Sequence, residues 1–265
     1  MGRMGLMGHM GRMRLIEQDQ TMPGTWRQIS IAGKTADIFQ PTNANGPGAV
    51  LFLHGHGLIT LNGNAPYSRF CDQYGLKIIC PHGQRSWWLN RVCTEFDPVI
   101  TPERHILEEV LPWVELNWNL KPPQIALFGV SMGGQGALRI AYRHAKTFPV
   151  VAALSPIVDF QMMYGQGLPL DAMYENAEAA RQESATLQIH PLNWPRNQFV
   201  ACDPADAAGM ETLVRLTSKL SSTGIPFDRD VETSHGGHSW DYFNHLAPQV
   251  VPWLADRLRV ESLRE

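Results

Sequence analysis

Only four cysteines occur in the 265 residues, Cys71, Cys80, Cys93 and Cys202, and no two of them form a CxxC pair. Such spacing calls for neither a disulfide framework nor a zinc cage, so reduced, buried thiols in a cytoplasmic protein are expected. An excess of positive charge is also missing: 22 Lys and Arg stand against 25 Asp and Glu, a formal net charge of -3. With no Lys/Arg stripe, the chain lacks the footprint of a partner for nucleic acid or an anionic membrane. No apolar run approaches the roughly 18 residues of a membrane span. At the N-terminus, MGRMGLMGHMGRM is interrupted by glycine every two or three residues. It therefore lacks the continuous apolar stretch of a secretory signal, and glycine-rich chain loses too much entropy on ordering to fold alone. Residues 1–20 are expected to form a disordered tail and residues 21–265 a single domain.

What is present is an ordinary globular composition, 44% hydrophobic and 18% charged, able to bury a sizeable core. Trp26–Ile31 and Thr35–Phe39, joined around Gly33, predict an antiparallel hairpin. Ala49–Leu53 is a continuous apolar run, the mark of a strand buried on both faces. Leu76–Cys80, Gln124–Phe128 and Val150–Leu154 have the same character, with Phe199–Cys202 and Phe227–Val231 as less apolar candidates. Helices are expected over Pro102–Asn117 (capped by Thr101 and kinked or split at Pro112), Met132–His144, Ala207–Ser222 and Trp240–Leu258. Strands alternating with helices predict βαβ units, hence a mostly parallel central sheet with helices on both faces. Residues 156–198, rich in Met, Tyr, Gln and Pro, interrupt the alternation as a lid-like insertion over the strand ends.

The segment Gln124–Gln135 reads QIALFGVSMGGQ, an apolar strand running into G-x-S-x-G and at once into a helix. In that context the pattern is a nucleophile elbow, a sharp turn that lifts the Ser131 hydroxyl above the sheet edge. The helix N-terminus behind it favours negative charge developing there. An oxyanion hole needs two backbone N–H groups. Met132, the residue after the nucleophile, supplies one, and His56 in the loop Leu53-His54-Gly55-His56-Gly57 is the candidate for the other, with Gly57 close behind.

A general base is expected late in the chain, within Ser234-His235-Gly236-Gly237-His238-Ser239-Trp240. His238 is favoured over His235, since Gly236 and Gly237 let the loop turn while Trp240 and Tyr242 open the helix that anchors it. The acid lies at a strand end in Cys202-Asp203-Pro204-Ala205-Asp206. Asp206, at the start of the next helix, is favoured over Asp203, which also suits a turn before Pro204. Gly57, Trp87, Trp88 and Trp240 are expected to contact substrate. Trp87 and Trp88, with Met162, Met163 and Tyr164, either line an apolar acyl or aromatic pocket or serve as packing.

The strings "LFLHGHG" at 51–57, "PHGQRSWW" at 81–88, "EEVLPWVE" at 108–115, "FGVSMGG" at 128–134 and "GGHSWDYF" at 236–243 resemble the esterase D group of the α/β hydrolases. That group includes S-formylglutathione hydrolases and mycolyltransferases, and the resemblance spans residues 47–256. It implies a three-layer α/β-hydrolase fold and a serine esterase acting on small carboxylic esters or thioesters through Ser131, His238 and Asp206, without cofactor or metal. Asp203 stands where the group has a glycine, which leaves the choice of acid open. Acyl transfer or peptide cleavage on the same fold is the alternative reading. Less favoured are a metal-dependent hydrolase using His54 and His56 with His235 or His238, and a binding module without catalysis.

Overall fold

The computed structural model describes residues 24–264; the expected tail, residues 1–20, lies outside them. The strands are β1 (Thr25–Ile31), β2 (Lys34–Gln40), β3 (Ala49–Leu53), β4 (Lys77–Pro81), β5 (Ile125–Val130), β6 (Val150–Leu154), β7 (Asn197–Ala201) and β8 (Asp228–Asp230). They form one eight-stranded sheet in the order β1-β2-β4-β3-β5-β6-β7-β8. β1 pairs antiparallel with β2, and β2 with β4; all remaining pairs are parallel. This is the sheet of the α/β-hydrolase fold.

Every residue of β3, β5 and β6 is buried, so the three central strands read as unbroken apolar runs because helices cover both faces. Alternate side chains enter different layers. Leu51, Leu127, Val151 and Val200 join one core, while Val50, Phe52, Phe128, Leu154 and Phe199 join the other. The helices are α1 (Ala65–Tyr74), α2 (Pro102–His105), α3 (Leu111–Trp118), α4 (Met132–Arg143), α5 (Phe160–Met163), α6 (Pro169–Met173), α7 (Ala177–Arg181), α8 (Ala207–Ser222), α9 (Trp240–His245) and α10 (Ala247–Ser262). None is long and apolar enough to cross a membrane.

The helix expected over Pro102–Asn117, kinked or split at Pro112, is divided just ahead of that proline by a π-helical turn at Ile106–Val110, in which the Leu111 N–H reaches back to the Ile106 carbonyl. Pro112 explains it: proline has no N–H for the Glu108 carbonyl and its ring would press on that oxygen, so the turn ahead of it widens. The single helix expected over Trp240–Leu258 ends at Leu246 and restarts as α10, because Pro248 has no N–H to give the Asn244 carbonyl. Helix α1 had no counterpart in the sequence reading. It is short and interleaves apolar with polar residues, but begins at an Asn64 cap accepting the Tyr67 N–H and ends at Gly75 with φ 67°.

The insertion between β6 and β7 carries α5, α6, α7 and a 3₁₀ turn at Ala185–Gln188. It is fastened at both ends. At its start, the Thr212 hydroxyl donates to the Pro156 carbonyl at 2.9 Å, and Arg215 pairs with Asp159. Near its end, Arg139 of α4 pairs with Glu183 side chain and donates Nε to the Glu183 carbonyl, while Gln135 Oε1 accepts the Ala185 N–H at 3.0 Å. Arg139, 1% exposed, also pairs with the buried Glu103, which receives Arg143 and His144 at 3.1 and 3.0 Å. Burial opposes the Glu103 charge, yet His144 and the two arginines hold its pKa down at about 2.

Removing one member of a buried ion pair strands the other without solvent. Arg139→Met should therefore lower stability by about 3 kcal/mol in urea unfolding, and limited proteolysis should cut first within residues 156–198. Wild-type stability with an intact proteolysis pattern would refute this anchoring.

Candidate active site

Ser131 sits between the end of β5 and the first turn of α4, with φ 56° and ψ −121°. Its N–H donates to the Leu154 carbonyl at 2.9 Å and its carbonyl accepts from Gln135 at 3.1 Å. The flanking glycines make the turn possible. A Cβ at Gly129 would run into the Gly133 carbonyl, and one at Gly133 into the carbonyls of Leu53 and His54. Strand, turn and helix are thus in backbone contact, and the β3 loop is pressed directly against the serine.

The loop after β8 brings His238 over Ser131, with Nε2 2.9 Å from Oγ. Its Nδ1 lies 2.6 Å from Oδ2 of Asp206. Asp206 is the N-cap of α8, where Oδ1 accepts the Gly209 N–H at 3.0 Å. Burial works against its charge, but the hydrogen bonds from His238 and Gly209 prevail and lower its pKa. The other pair of candidates lies elsewhere. His235 is exposed and its ring stacks on His245 at 4.3 Å. Asp203 is fully buried, and its carboxylate is not hydrogen-bonded to the His238 ring. Instead, Oδ1 accepts the Ala205 N–H and the Ser234 hydroxyl, both at 2.8 Å. Oδ2 accepts the N–H groups of His235 and Gly237 at 2.6 and 2.8 Å.

The loop Leu53–Gly57 passes beside the serine: a Cβ on Gly55 would lie 3.3 Å from that of Ser131. The His56 N–H finds no acceptor among the described residues, and the Met132 N–H, first in its helix, has none within α4. The loop is fixed from behind. His54 Nδ1 donates to the Gly55 carbonyl at 2.8 Å, Nε2 accepts the Gly83 N–H at 3.0 Å, and the Trp88 indole donates to the His54 carbonyl at 3.1 Å. Both His54 nitrogens are therefore engaged by the backbone, which removes it as a ligand in the metal reading. No group of three or more His, Cys, Asp or Glu suited to a metal ion occurs among the described residues.

Two cavities meet at this point. One, of about 410 Å³, is walled by Trp87, Met132, Ile157, Met163, Leu168 and Ala208 and opens on Ser131 and His238. The other, of about 270 Å³, lies between Gly57, Ile59, Trp240 and Phe243 and opens on the same two residues. Of the side chains expected at the substrate, Gly57, Trp87 and Trp240 border these cavities. Trp88 borders neither: it is 1% exposed and packed where Cβ atoms on Gly83 or Gly136 would strike it. Met163 faces the larger cavity, whereas Met162 is absent from both walls and the Tyr164 hydroxyl donates to the Tyr174 carbonyl. Ile157, Leu168 and Ala208 were not foreseen. They reach the cavity from the loop after β6, the start of α6 and the first turn of α8, and carry no local motif.

The family model described as "Putative esterase" matches residues 34–254. Among curated proteins, the chain is 27% identical over 158 residues to the diacylglycerol acyltransferase/mycolyltransferase Ag85A of Mycobacterium tuberculosis, covering 56% of this chain and 47% of that protein. The chain thus aligns with about half the length of that relative. With Ag85B of Mycobacterium intracellulare it is 25% identical over 283 residues, 91% of this chain and 85% of that one. Among solved structures, an S-formylglutathione hydrolase from Agrobacterium tumefaciens superposes with TM-score 0.72 at 18% identity, covering 88% of this chain and 94% of that one. The fluorophosphonate-binding serine hydrolase FphF of Staphylococcus aureus gives 0.70 at 17%, covering 88% and 99%. At these identities the structural likeness concerns the fold.

Burial depresses the His54 pKa from 6.5 to about 4. The unfolded chain therefore takes up this proton first as pH falls, so the contribution is complete above about pH 6.5 and is lost on descending towards pH 4. His105, also lowered to about 4 by burial, acts in the same direction. Denaturant unfolding at a series of pH values should show this decline, reduced in His54→Asn; an identical decline in that variant would mean that His54 does not carry it.

Proposed function

The chain belongs to this esterase family, with the fold of the α/β hydrolases, and from that premise we propose that it is a serine hydrolase cleaving carboxylic esters or thioesters through an acyl-enzyme on Ser131. The observation that carries the reading is the unbroken hydrogen-bonded run from Ser131 Oγ through His238 to Asp206 at the mouth of an apolar cavity. His238 Nε2 takes the hydroxyl proton as Oγ attacks the acyl carbonyl, then gives it to the departing oxygen or sulfur. Asp206 keeps Nδ1 protonated and stabilises the imidazolium. The His56 and Met132 amides receive the negative oxygen of the tetrahedral intermediate, aided by the positive end of α4. Water, deprotonated by His238, then releases the acid and restores the serine. The larger cavity, within the usual size range for small-molecule pockets and lined by Trp87, Ile157, Met163 and Leu168, suits an apolar or aromatic acyl group.

A second reading, acyl transfer to an alcohol, is favoured by the second cavity, about 270 Å³ and open on Ser131. An acceptor held there competes with water for the acyl-enzyme. The names of the mycobacterial relatives are in keeping with it.

Ser131→Ala should lose at least about three decades of kcat on p-nitrophenyl esters, the remainder coming from binding and the oxyanion site. A fluorophosphonate probe should label the wild type at Ser131 and leave the variant unlabelled. Labelling at another residue of an active enzyme would sink the mechanism.

Supplying graded alcohols to the wild-type enzyme separates the two readings. Ester product rising with saturation in the alcohol supports transfer, whereas acid as sole product at every alcohol concentration supports hydrolysis.

A further inference from the structure

Asp203 has a buried carboxylate, and three of its four hydrogen bonds come from the chain leading into His238. Two of the donors, the N–H groups of His235 and Gly237, converge on one oxygen. The Ser234 hydroxyl and the Ala205 N–H take the other. Convergence of alternate backbone amides on one anion requires unusual dihedrals, and Gly236 and Gly237 have φ of 90° and 69°, which only glycine adopts without strain. The segment Ser234–Gly237 is wrapped around this carboxylate as others wrap a bound anion.

His238 follows directly. Its preceding residue, Gly237, is held by Asp203, and its following residue, Ser239, donates its N–H to the Gly237 carbonyl at 2.9 Å and caps α9 through Tyr242. The same short turn that carries Asp203 carries Asp206, closed by the Asp206 N–H on the Asp203 carbonyl at 2.9 Å. One turn therefore grips the backbone beside His238 with its first carboxylate and the imidazole with its second. The imidazole and its acid partner are held in register by a common support.

We propose that Asp203 is a positioning residue: the buried carboxylate around which the His238 loop folds, setting the imidazole against Ser131 and Asp206. It touches no substrate. Its charge and both oxygens are needed, because an amide in its place turns an N–H₂ towards at least one backbone N–H whichever way it is flipped. The inference rests on the Ser131–His238–Asp206 reading.

The test is Asp203→Asn, with the active fraction counted by fluorophosphonate titration. If the carboxylate positions the imidazole, kcat per titrated site should fall by about a hundredfold, the penalty expected for an ångström-scale misplacement. KM should stay within about twofold, because the Asp203 carboxylate hydrogen-bonds none of the side chains walling the two cavities. The proton resonance of the His238–Asp206 hydrogen bond should shift or broaden, although both partners are unchanged. Wild-type kcat per titrated site, or an unchanged resonance, would overturn the proposal, since a purely structural residue would lower only the number of active sites. If Asp203→Asn does not fold, Ser234→Ala removes a single donor and leaves the carboxylate. A several-fold lower kcat at unchanged KM supports the proposal, and wild-type kcat refutes it. Ser131→Ala distinguishes the two levels: an active Ser131→Ala defeats the mechanism itself, whereas an inactive Ser131→Ala beside a fully active Asp203→Asn defeats only the positioning role.

Discussion

The backbone of Ser131, at φ 56° and ψ −121°, occupies a region that L residues avoid at an expense on the order of 1–3 kcal/mol. Its surroundings over-determine it. The N–H is taken by Leu154 in β6 and the carbonyl by Gln135 in α4, while β5 enters fully buried. The absence of side chains at Gly129 and Gly133 lets the helix close on the strand and on the β3 loop. The sheet's buried centre is therefore the reason that a hydroxyl can be held above its edge. A softer scaffold would let the turn relax and withdraw the oxygen from His238.

Around this point charge is distributed by hydrogen bonding more than by ion pairing. Asp203 has a pKa of about 2 because backbone and hydroxyl donors outweigh its burial, and Asp206 is lowered in the same manner. His54 is kept neutral by burial, so its unprotonated nitrogen can accept the Gly83 N–H. Asp203, Asp206 and His54 are thus each held in one protonation state by their surroundings.

The sharp turn at Ser131 was legible because its meaning is local: an apolar strand, a G-x-S-x-G turn and a helix follow one another along twelve residues. The central strands were equally legible, since burial on both faces leaves an unbroken apolar run. The reading was less determinate where tertiary contacts decide. β8 is three residues long and its Asp228 and Arg229 are exposed, so the apolar pattern around it overestimated its length. Asp203 and Asp206 lie in one turn and differ only in which way they face. That direction depends on partners at 234–238, some thirty residues along the chain. Trp87 and Trp88 are adjacent, yet one faces the cavity and the other the His54 carbonyl. No pattern in the sequence distinguishes them, because both have positive φ, 57° in each case, and the chain there follows neither helix nor strand periodicity.

The fastening of residues 156–198 to α4 alters how a ligand is read. Swinging this segment aside would require parting Arg139 from the Glu183 side chain and carbonyl and Gln135 from the Ala185 N–H, a change costing several kcal/mol, so the wall made by Ile157, Met163 and Leu168 stands before a ligand arrives. None of a ligand's binding energy is then diverted into ordering a flap. For the proposed acyl ligand, discrimination then becomes a matter of rigid shape, set by a wall whose supporting segment is pinned to α4 by a buried arginine.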